Sequence, residues 1–296
     1  MKPLPIILDT DIGDDVDDAL ALAVVLNSPE LELRGITTVF RNAPRRALLA
    51  QHILKVFERS AVPIAAGCSK PLLQSFENTR DGARLGSQFQ VLAENSLEKP
   101  LPHAVDFLVQ SVDIEAEPDA ENLLTIVPIG PLTNIALALA REPELIPRCR
   151  IVLMGGQWNE PRAEWNISCD PEAAAMVFNS GVEITMIGLD VTMRCQLNDT
   201  HMAQFAEGST PRAKLLTQLL KLWSSEVDHP VTLHDPLAVI SLFDDCVTFE
   251  EKRIEVALCG EQRGRTVAAE GEPNARVAVD VNVERAVQLF MERVLG

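Results

Sequence analysis

Residues 4–20 constrain this chain more than any other stretch. The apolar run Ile6-Ile7-Leu8 leads into six carboxylates within ten positions (Asp9, Asp11, Asp14, Asp15, Asp17, Asp18), and an apolar helical pattern starts at once with Ala19-Leu20. A short continuous apolar run reads as a strand buried on both faces, and an almost continuously apolar helix reads as an interior one. Carboxylates at this density repel one another unless a cation or a set of hydrogen bonds offsets them. Hard divalent cations bind through oxygen ligands of this kind, so a metal site is the first expectation. One or two of the acids can serve only as helix N-caps, with Asp14 and Asp15 the best placed. That role does not account for all six.

The alternation continues downstream. Strands are predicted over residues 31–40, 62–67, 123–129, 150–154 and 183–189, and helices over 43–58, 104–114, 171–178, 199–206, 211–224 and 236–243. Pro131 suits the first turn of the helix that follows Gly130. Residues 247–280 alternate like β-structure, and 283–295 form an amphipathic helix. This order predicts an α/β fold: an open, mostly parallel, Rossmann-like sheet with helices on both faces and the active site at the carboxyl ends of the strands. Neither repeats nor a low-complexity linker interrupts it, so one domain spanning 1–296 is expected. Residues 68–100, with Asp81-Gly82-Ala83-Arg84-Leu85-Gly86, read as a long loop that suits either a lid or a solvated excursion.

Composition narrows the partners. A net charge of −17 disfavours nucleic acid and anionic membranes and leaves small molecules as the expected ligands. The six cysteines form no CxxC pair and are expected to be reduced and buried. The start of the chain does not resemble a signal peptide, and no apolar run reaches the roughly 18 residues of a membrane span, so a cytoplasmic protein is expected.

Polar groups at several predicted strand ends could share one crevice with the acidic run: Asn42, Ile129-Gly130, and the segment from Gly155 to Asn166. His234-Asp235, at the start of an apolar helix, is the distant partner. Taken singly, each has a plainer reading: His234 structural, Asp235 a cap, Glu164 and Asn166 surface residues, Trp165 a packing aromatic.

Taken together, the blocks resemble a known family. Asp9-Thr10-Asp11-Ile12-Gly13 with Asp17-Asp18-Ala19-Leu20 is similar to the N-terminal signature of the nucleoside hydrolases of the inosine-uridine preferring type, calcium-dependent enzymes that cut the N-glycosidic bond of ribonucleosides. The likeness continues, in family order, through Gly35-Ile36-Thr37-Thr38-Val39, Val127-Pro128-Ile129-Gly130-Pro131-Leu132-Thr133-Asn134, Val152-Leu153-Met154-Gly155-Gly156, Ala163-Glu164-Trp165-Asn166, Gly188-Leu189-Asp190 and His234-Asp235-Pro236-Leu237-Ala238. The resemblance implies Ca²⁺ held by Asp11, Asp18, Asp235 and the backbone carbonyl of Ile129. It implies ribose contacts from Asp17, Asn42, Glu164 and Asn166, with Asn159 a further candidate on the short loop after Gly156. Asp11 would be the general base for water, and His234 would lie near the departing nucleobase. A nucleoside substrate and a homodimer or homotetramer follow from the same likeness.

The chain departs from the usual pattern at four places. Ile12 replaces a proline and two residues, Asp14-Asp15, are inserted before Asp17; Asn78 stands where some members carry a histidine; the loop carrying Asn159 is short; and Arg41 replaces a glycine. These leave base preference open. Two other readings compete: a Mg²⁺-dependent phosphatase of the haloacid dehalogenase type, because Asp9-Thr10-Asp11 after a strand also resembles that nucleophile motif, and a non-catalytic sugar- or nucleoside-binding protein.

Overall fold

The computed structural model describes residues 2–75, 86–92, 101–112 and 123–296. The chain begins with β1 (Leu4–Thr10), α1 (Asp17–Leu26), β2 (Leu31–Thr38), α2 (Ala43–Val56), β3 (Ile64–Ala66) and α3 (Ala104–Gln110). It continues through β4 (Leu124–Pro128), α4 (Thr133–Arg141), β5 (Cys149–Met154), the short α5 (Trp165–Cys169), α6 (Pro171–Phe178), β6 (Glu183–Ile187) and α7 (Leu189–Thr192). Helices α8 (Asp199–Glu207), α9 (Pro211–Ser224) and α10 (His234–Ile240) precede β7 (Val247–Val256), β8 (Thr266–Ala269), β9 (Ala275–Val281) and α11 (Val283–Leu295).

Among the described residues the strands form one sheet in the order β3-β2-β1-β4-β5-β6-β9-β7-β8. The pairings from β3 through β6 to β9 are parallel, and β7 adds antiparallel to β9 and β8 to β7. Along β1 the side chains alternate between two cores, Ile6 and Leu8 in one and Ile7 in the other, as a strand covered on both faces requires. All ten residues of α1 are buried, as its continuous apolar pattern predicts. Each large aliphatic side chain there contributes roughly 1.5–3 kcal/mol by leaving water.

The strand order places the site. Connections leave β1 toward β2 and β3 on one side, while β4, β5 and β6 extend on the other, so the loops after β1 and β4 diverge and open a crevice at their carboxyl ends. The acidic run leaves β1 there, and Ile129-Gly130 leaves β4 beside it, pinned by Ile129 N–H donating to the Asp9 carbonyl at 2.8 Å.

Several local expectations need correcting. Val16 is the N-cap of α1 and no side chain caps that helix; Asp14 instead pairs with arginines, and Asp15 accepts from the adjacent Val16 N–H. Pro131 precedes the cap of α4 rather than lying in its first turn. Within 68–100, residues 76–85 and 93–100, and with them Asn78 and Asp81-Gly82, lie outside the described residues. The intervening Ser87–Val91 forms a 3₁₀ turn whose Phe89 packs over Gly13. Gly13 needs its left-handed φ of 116°, and a Cβ there would lie 2.5 Å from the Phe89 ring. Of the cysteines, Cys259 is exposed and Cys68 half-buried, while the other four are buried; all are free. Among the described residues, no helix is long and apolar enough to cross a membrane.

Candidate active site

At the mouth of the crevice lies a cavity of about 500 Å³ lined on one side by Asp11, Asp14, Asp15, Asp17, Asp18 and Asp235. Three of the acids come from consecutive short steps of chain: Asp11 ends the β1 extension, and Asp17 and Asp18 open α1. Asp235 arrives from a distance because α10 packs against α1, and its backbone N–H donates to Asp17 Oδ2 at 3.3 Å. Carboxylate oxygens of Asp17, Asp18 and Asp235 all lie within 4.8 Å of one another. Asp11 is not part of that group of three; Asp17 stands in it where the resemblance implies Asp11.

Desolvation dominates the electrostatics of this cluster. Burial holds the Asp11 carboxyl at about 7, with the Arg46 guanidinium lowering it part of the way and Asp14 raising it. Burial likewise lifts Asp17, Asp18 and Asp235 well above the ordinary carboxylate range, with mutual repulsion adding to it. Four buried carboxyls facing one another either hold protons or hold a cation. The donor set, all hard oxygens and each less than a tenth exposed, fits a divalent metal ion.

Supporting groups tie the cluster down. Thr10 Oγ1 donates to Asp18 Oδ1 and accepts from Ile12 N–H. Asp9, fully buried beneath the cavity, accepts from Thr37 and Asn134. Gly130 lets β4 approach this closely, since a Cβ there would lie 2.8 Å from Asp11 Oδ1.

The opposite side of the cavity is built by the loop after β5. Glu164 caps α5, its carboxylate accepting from the N–H groups of Asn166 and Ile167 at 2.7 and 3.0 Å and from Gly156 at 3.0 Å. The Asn166 amide donates to the Ile129 carbonyl at 3.1 Å and to the Met154 carbonyl at 3.2 Å, fixing the backbone oxygen that the resemblance implies as a ligand. Asp11, Asp17, Asp18, Ile129, Glu164, Asn166, His234 and Asp235 therefore share one cavity.

Two expected contacts lie elsewhere. Asn42 is exposed and turned into the N-cap of α2, accepting from Arg45 N–H, and it does not line the cavity. A helix cap satisfies an otherwise open N–H, and the Asn42-Ala43-Pro44 sequence already carried that signature. Asn159 is also exposed, its backbone N–H held by Asp190, and it too stays outside the lining.

The far end of the cavity is apolar and aromatic, formed by Leu189, Met193, Trp223, Pro230 and the ring of His229, which meets Trp223 edge-on at 5.1 Å. His234 faces this end with Nδ1 2.8 Å from Thr192 Oγ1. Burial, with His229 nearby, lowers its pKa to about 4, so the ring is neutral at pH 7. Trp223 escaped the sequence reading because Leu216, Leu219, Leu220 and Trp223 share one buried stripe of α9, a pattern indistinguishable from core. Arg46 escaped it as well, although it falls on the buried stripe of α2 with Ala43, Ala47 and Ala50.

Comparison with known proteins agrees with this geometry. The profile of the family described as "Inosine-uridine preferring nucleoside hydrolase" matches residues 6–288. The pyrimidine-specific ribonucleoside hydrolase RihA of Salmonella paratyphi B is 35% identical over 316 aligned positions, covering 98% of each chain. Its counterpart in Photobacterium profundum is 35% identical over 313 positions, again covering 98% of each. Among solved structures, the purine-preferring ribonucleoside hydrolase of Gardnerella vaginalis superposes with a TM-score of 0.85 at 32% identity, covering 99% of this chain and 98% of that one. A plant nucleoside hydrolase, PpNRh1, superposes equally well, with a TM-score of 0.85 at 26% identity over 99% of both chains. A match over this much of the sequence leaves no room for the phosphatase reading, and the chain belongs to the inosine-uridine preferring nucleoside hydrolase family.

Proposed function

We propose that this ribonucleoside hydrolase works with calcium held by its buried carboxylates and with Asp11 as the base that activates water, releasing free nucleobase and ribose. The observation that carries the proposal is the convergence of four buried carboxyls beside an aromatic chamber within one cavity. Asp18 and Asp235, flanked by Asp11 and Asp17, supply the side-chain oxygens for the cation, and the Ile129 carbonyl, steadied by Asn166, supplies a backbone oxygen. Bound there, calcium supplies positive charge that orients the ribose 2′- and 3′-hydroxyls and makes the attacking water more acidic.

Asp11 accepts the proton of that water as it attacks C1′. A carboxylate that lines the cavity beside the other acids and is only 5% exposed is placed to do this. As the C–N bond lengthens, the sugar takes on oxocarbenium character, and the anionic wall of Asp17 and Glu164 stabilises that charge. The departing base carries the C–N electron pair into the chamber of Trp223, His229 and Leu189 and takes up a proton from solvent to become the free base. His234, neutral at pH 7, serves the base as a hydrogen-bonding partner, with the bond to Thr192 fixing the ring orientation.

The direct test is a panel of inosine, adenosine, guanosine, uridine and cytidine followed for free base and ribose. Treatment with EDTA should abolish release, and added Ca²⁺ should restore it. Undiminished turnover by protein shown by elemental analysis to be free of metal would sink the metal assignment. Ribose binding by calorimetry with no turnover of any of the five would favour the binding-protein reading instead.

The cluster also predicts how stability varies with pH. Asp11 rises from the ordinary 3.8 to about 7 in the folded, metal-free protein, and Asp17, Asp18 and Asp235 rise with it. A carboxyl raised in this way takes up a proton on folding, so its contribution is complete below the unfolded value and is lost as pH rises through the folded one. Metal-free protein should therefore lose stability as pH rises from about 4 through about 7 and beyond, where the protons leave and repulsion is exposed. Ca²⁺ replaces those protons, so the increase in Tm on adding it should grow with pH across that window. An increment that shrinks as pH rises would place the ion elsewhere.

A further inference from the structure

Two of the places where the sequence departs from the family pattern meet in space. The inserted Asp14 and the glycine-replacing Arg41 are 27 positions apart, yet Arg41 Nη1 lies 3.0 Å from Asp14 Oδ2. The same oxygen accepts from Arg46 Nη2 at 2.8 Å, so one carboxylate ties the loop after β1 to the loop after β2.

The backbone delivers Arg41 to this position deliberately. Phe40 and Arg41 both adopt left-handed φ angles, 69° and 52°, which bulky residues hold only when their surroundings enforce it. The enforcement is visible: Phe40 N–H donates to the Cys68 carbonyl at 2.7 Å, and Arg46 Nε donates to the Phe40 carbonyl at 2.9 Å. This bend turns Asn42 outward to cap α2 and turns Arg41 onto the cavity wall. There the guanidinium carbon sits 5.3 Å from the Phe40 ring centroid and 5.7 Å from that of Trp165, in cation–π range of both.

A ribose in this cavity has three directions to satisfy. On the reading proposed above, the 2′,3′-diol faces the carboxylate cluster, and the base at C1′ enters the chamber of Trp223 and His229. On the same reading the C4′ hydroxymethyl faces the part of the polar wall where Arg41 and Asp14 meet the face of Trp165, next to Glu164. We infer that Arg41, steadied by Asp14 and seated over Phe40 and Trp165, binds the ribose 5′-hydroxyl and so takes the sugar contact that the resemblance assigns to Asn42. The guanidinium donates to the hydroxyl oxygen, and the methylene rests against the indole. The inference depends on the hydrolase reading and adds to it the residue that orients the sugar's far end.

The test compares a nucleoside from the panel that is turned over with its 5′-deoxy analogue, in wild type and in Arg41→Met, which keeps an aliphatic stem and removes the donors. Loss of a hydrogen bond to a charged group should cost wild type about 10- to 100-fold in kcat/KM on the 5′-deoxy substrate. In Arg41→Met the two substrates should differ by less than about 3-fold, because the partner of the hydroxyl is gone. A purely structural role would slow both substrates alike and leave the ratio at its wild-type value, and that result overturns the inference. So does a wild-type enzyme that treats the two substrates equally. Should Arg41→Met fail to fold by circular dichroism, Asp14→Asn leaves the guanidinium but loosens its tether; a reduced ratio there supports the inference and an unchanged one overturns it. Failure of wild type to release base from any nucleoside would defeat the hydrolase reading first, and it is seen before any variant is made.

Discussion

Asp11→Asn is expected to lower kcat by about 10²- to 10⁴-fold, the range for loss of a general base, with the fold intact. Asparagine matches aspartate in shape, so the close approach of Gly130 to Oδ1 tolerates it. It also removes a buried charge from the neighbourhood of Asp18, Asp17 and Asp235, each of which Asp11 repels. Metal-free Asp11→Asn should for that reason be at least as stable as wild type above pH 7, by calorimetry. Since Asp18 is one of three acids whose oxygens lie within 4.8 Å of one another, and Asp11 stands outside that group, calcium affinity should fall further in Asp18→Asn than in Asp11→Asn. Wild-type kcat in Asp11→Asn would sink the mechanism. Equal loss of calcium in both variants would return Asp11 to full ligand status, as the resemblance implies.

The parts of this molecule readable from sequence are those in which local pattern and final environment agree. The runs Ile6-Ile7-Leu8 of β1 and Ala19 to Leu26 of α1 are continuously apolar and are buried on every side, so their pattern could be taken at face value. Asp11, Asp18, Glu164, Asn166 and Asp235 could be expected in one place because each sits at a strand's carboxyl end or opens a helix, where an open α/β sheet gathers its ligands. What escaped were side chains whose partners come from other elements. Asp14 looked like a cap because caps are local, but its partners are Arg41 and Arg46 beyond the next strand. Asn42 looked like a sugar ligand by position, whereas a two-residue left-handed bend, invisible in the letters, rotates it outward and brings Arg41 in. Apart from His234, the aromatic end of the cavity could not be anticipated, because Trp223 and Met193 carry no motif and their spacing is that of ordinary packing.

Arg46→Met is expected to destabilise the protein by about 3–5 kcal/mol, the range for removing one partner of a buried charged network. Arg46 is 1% exposed, and it donates to the carbonyls of Phe40, Asp11 and Ile12 as well as to Asp14. Methionine fills much of the volume but bonds none of them. Two sources of cost can be separated. Asp14 keeps Arg41 as a partner at 3.0 Å and is partly solvated, so its unpaired charge is the smaller term. Three carbonyl oxygens on two buried loops lose a donor together, at about 1–3 kcal/mol for each one left unsatisfied, and this alone reaches the predicted range. Adding Asp14→Asn to Arg46→Met should accordingly recover little stability, whereas a network dominated by charge pairing would recover most of it. Arg46→Lys should recover little as well, because a single ammonium cannot reproduce a planar fork spread over two loops. Urea denaturation of the three variants beside wild type decides the matter. A loss under about 1 kcal/mol in Arg46→Met, the size of an exposed ion pair, would mean that the loop carrying Asp11 is held by something other than this arginine.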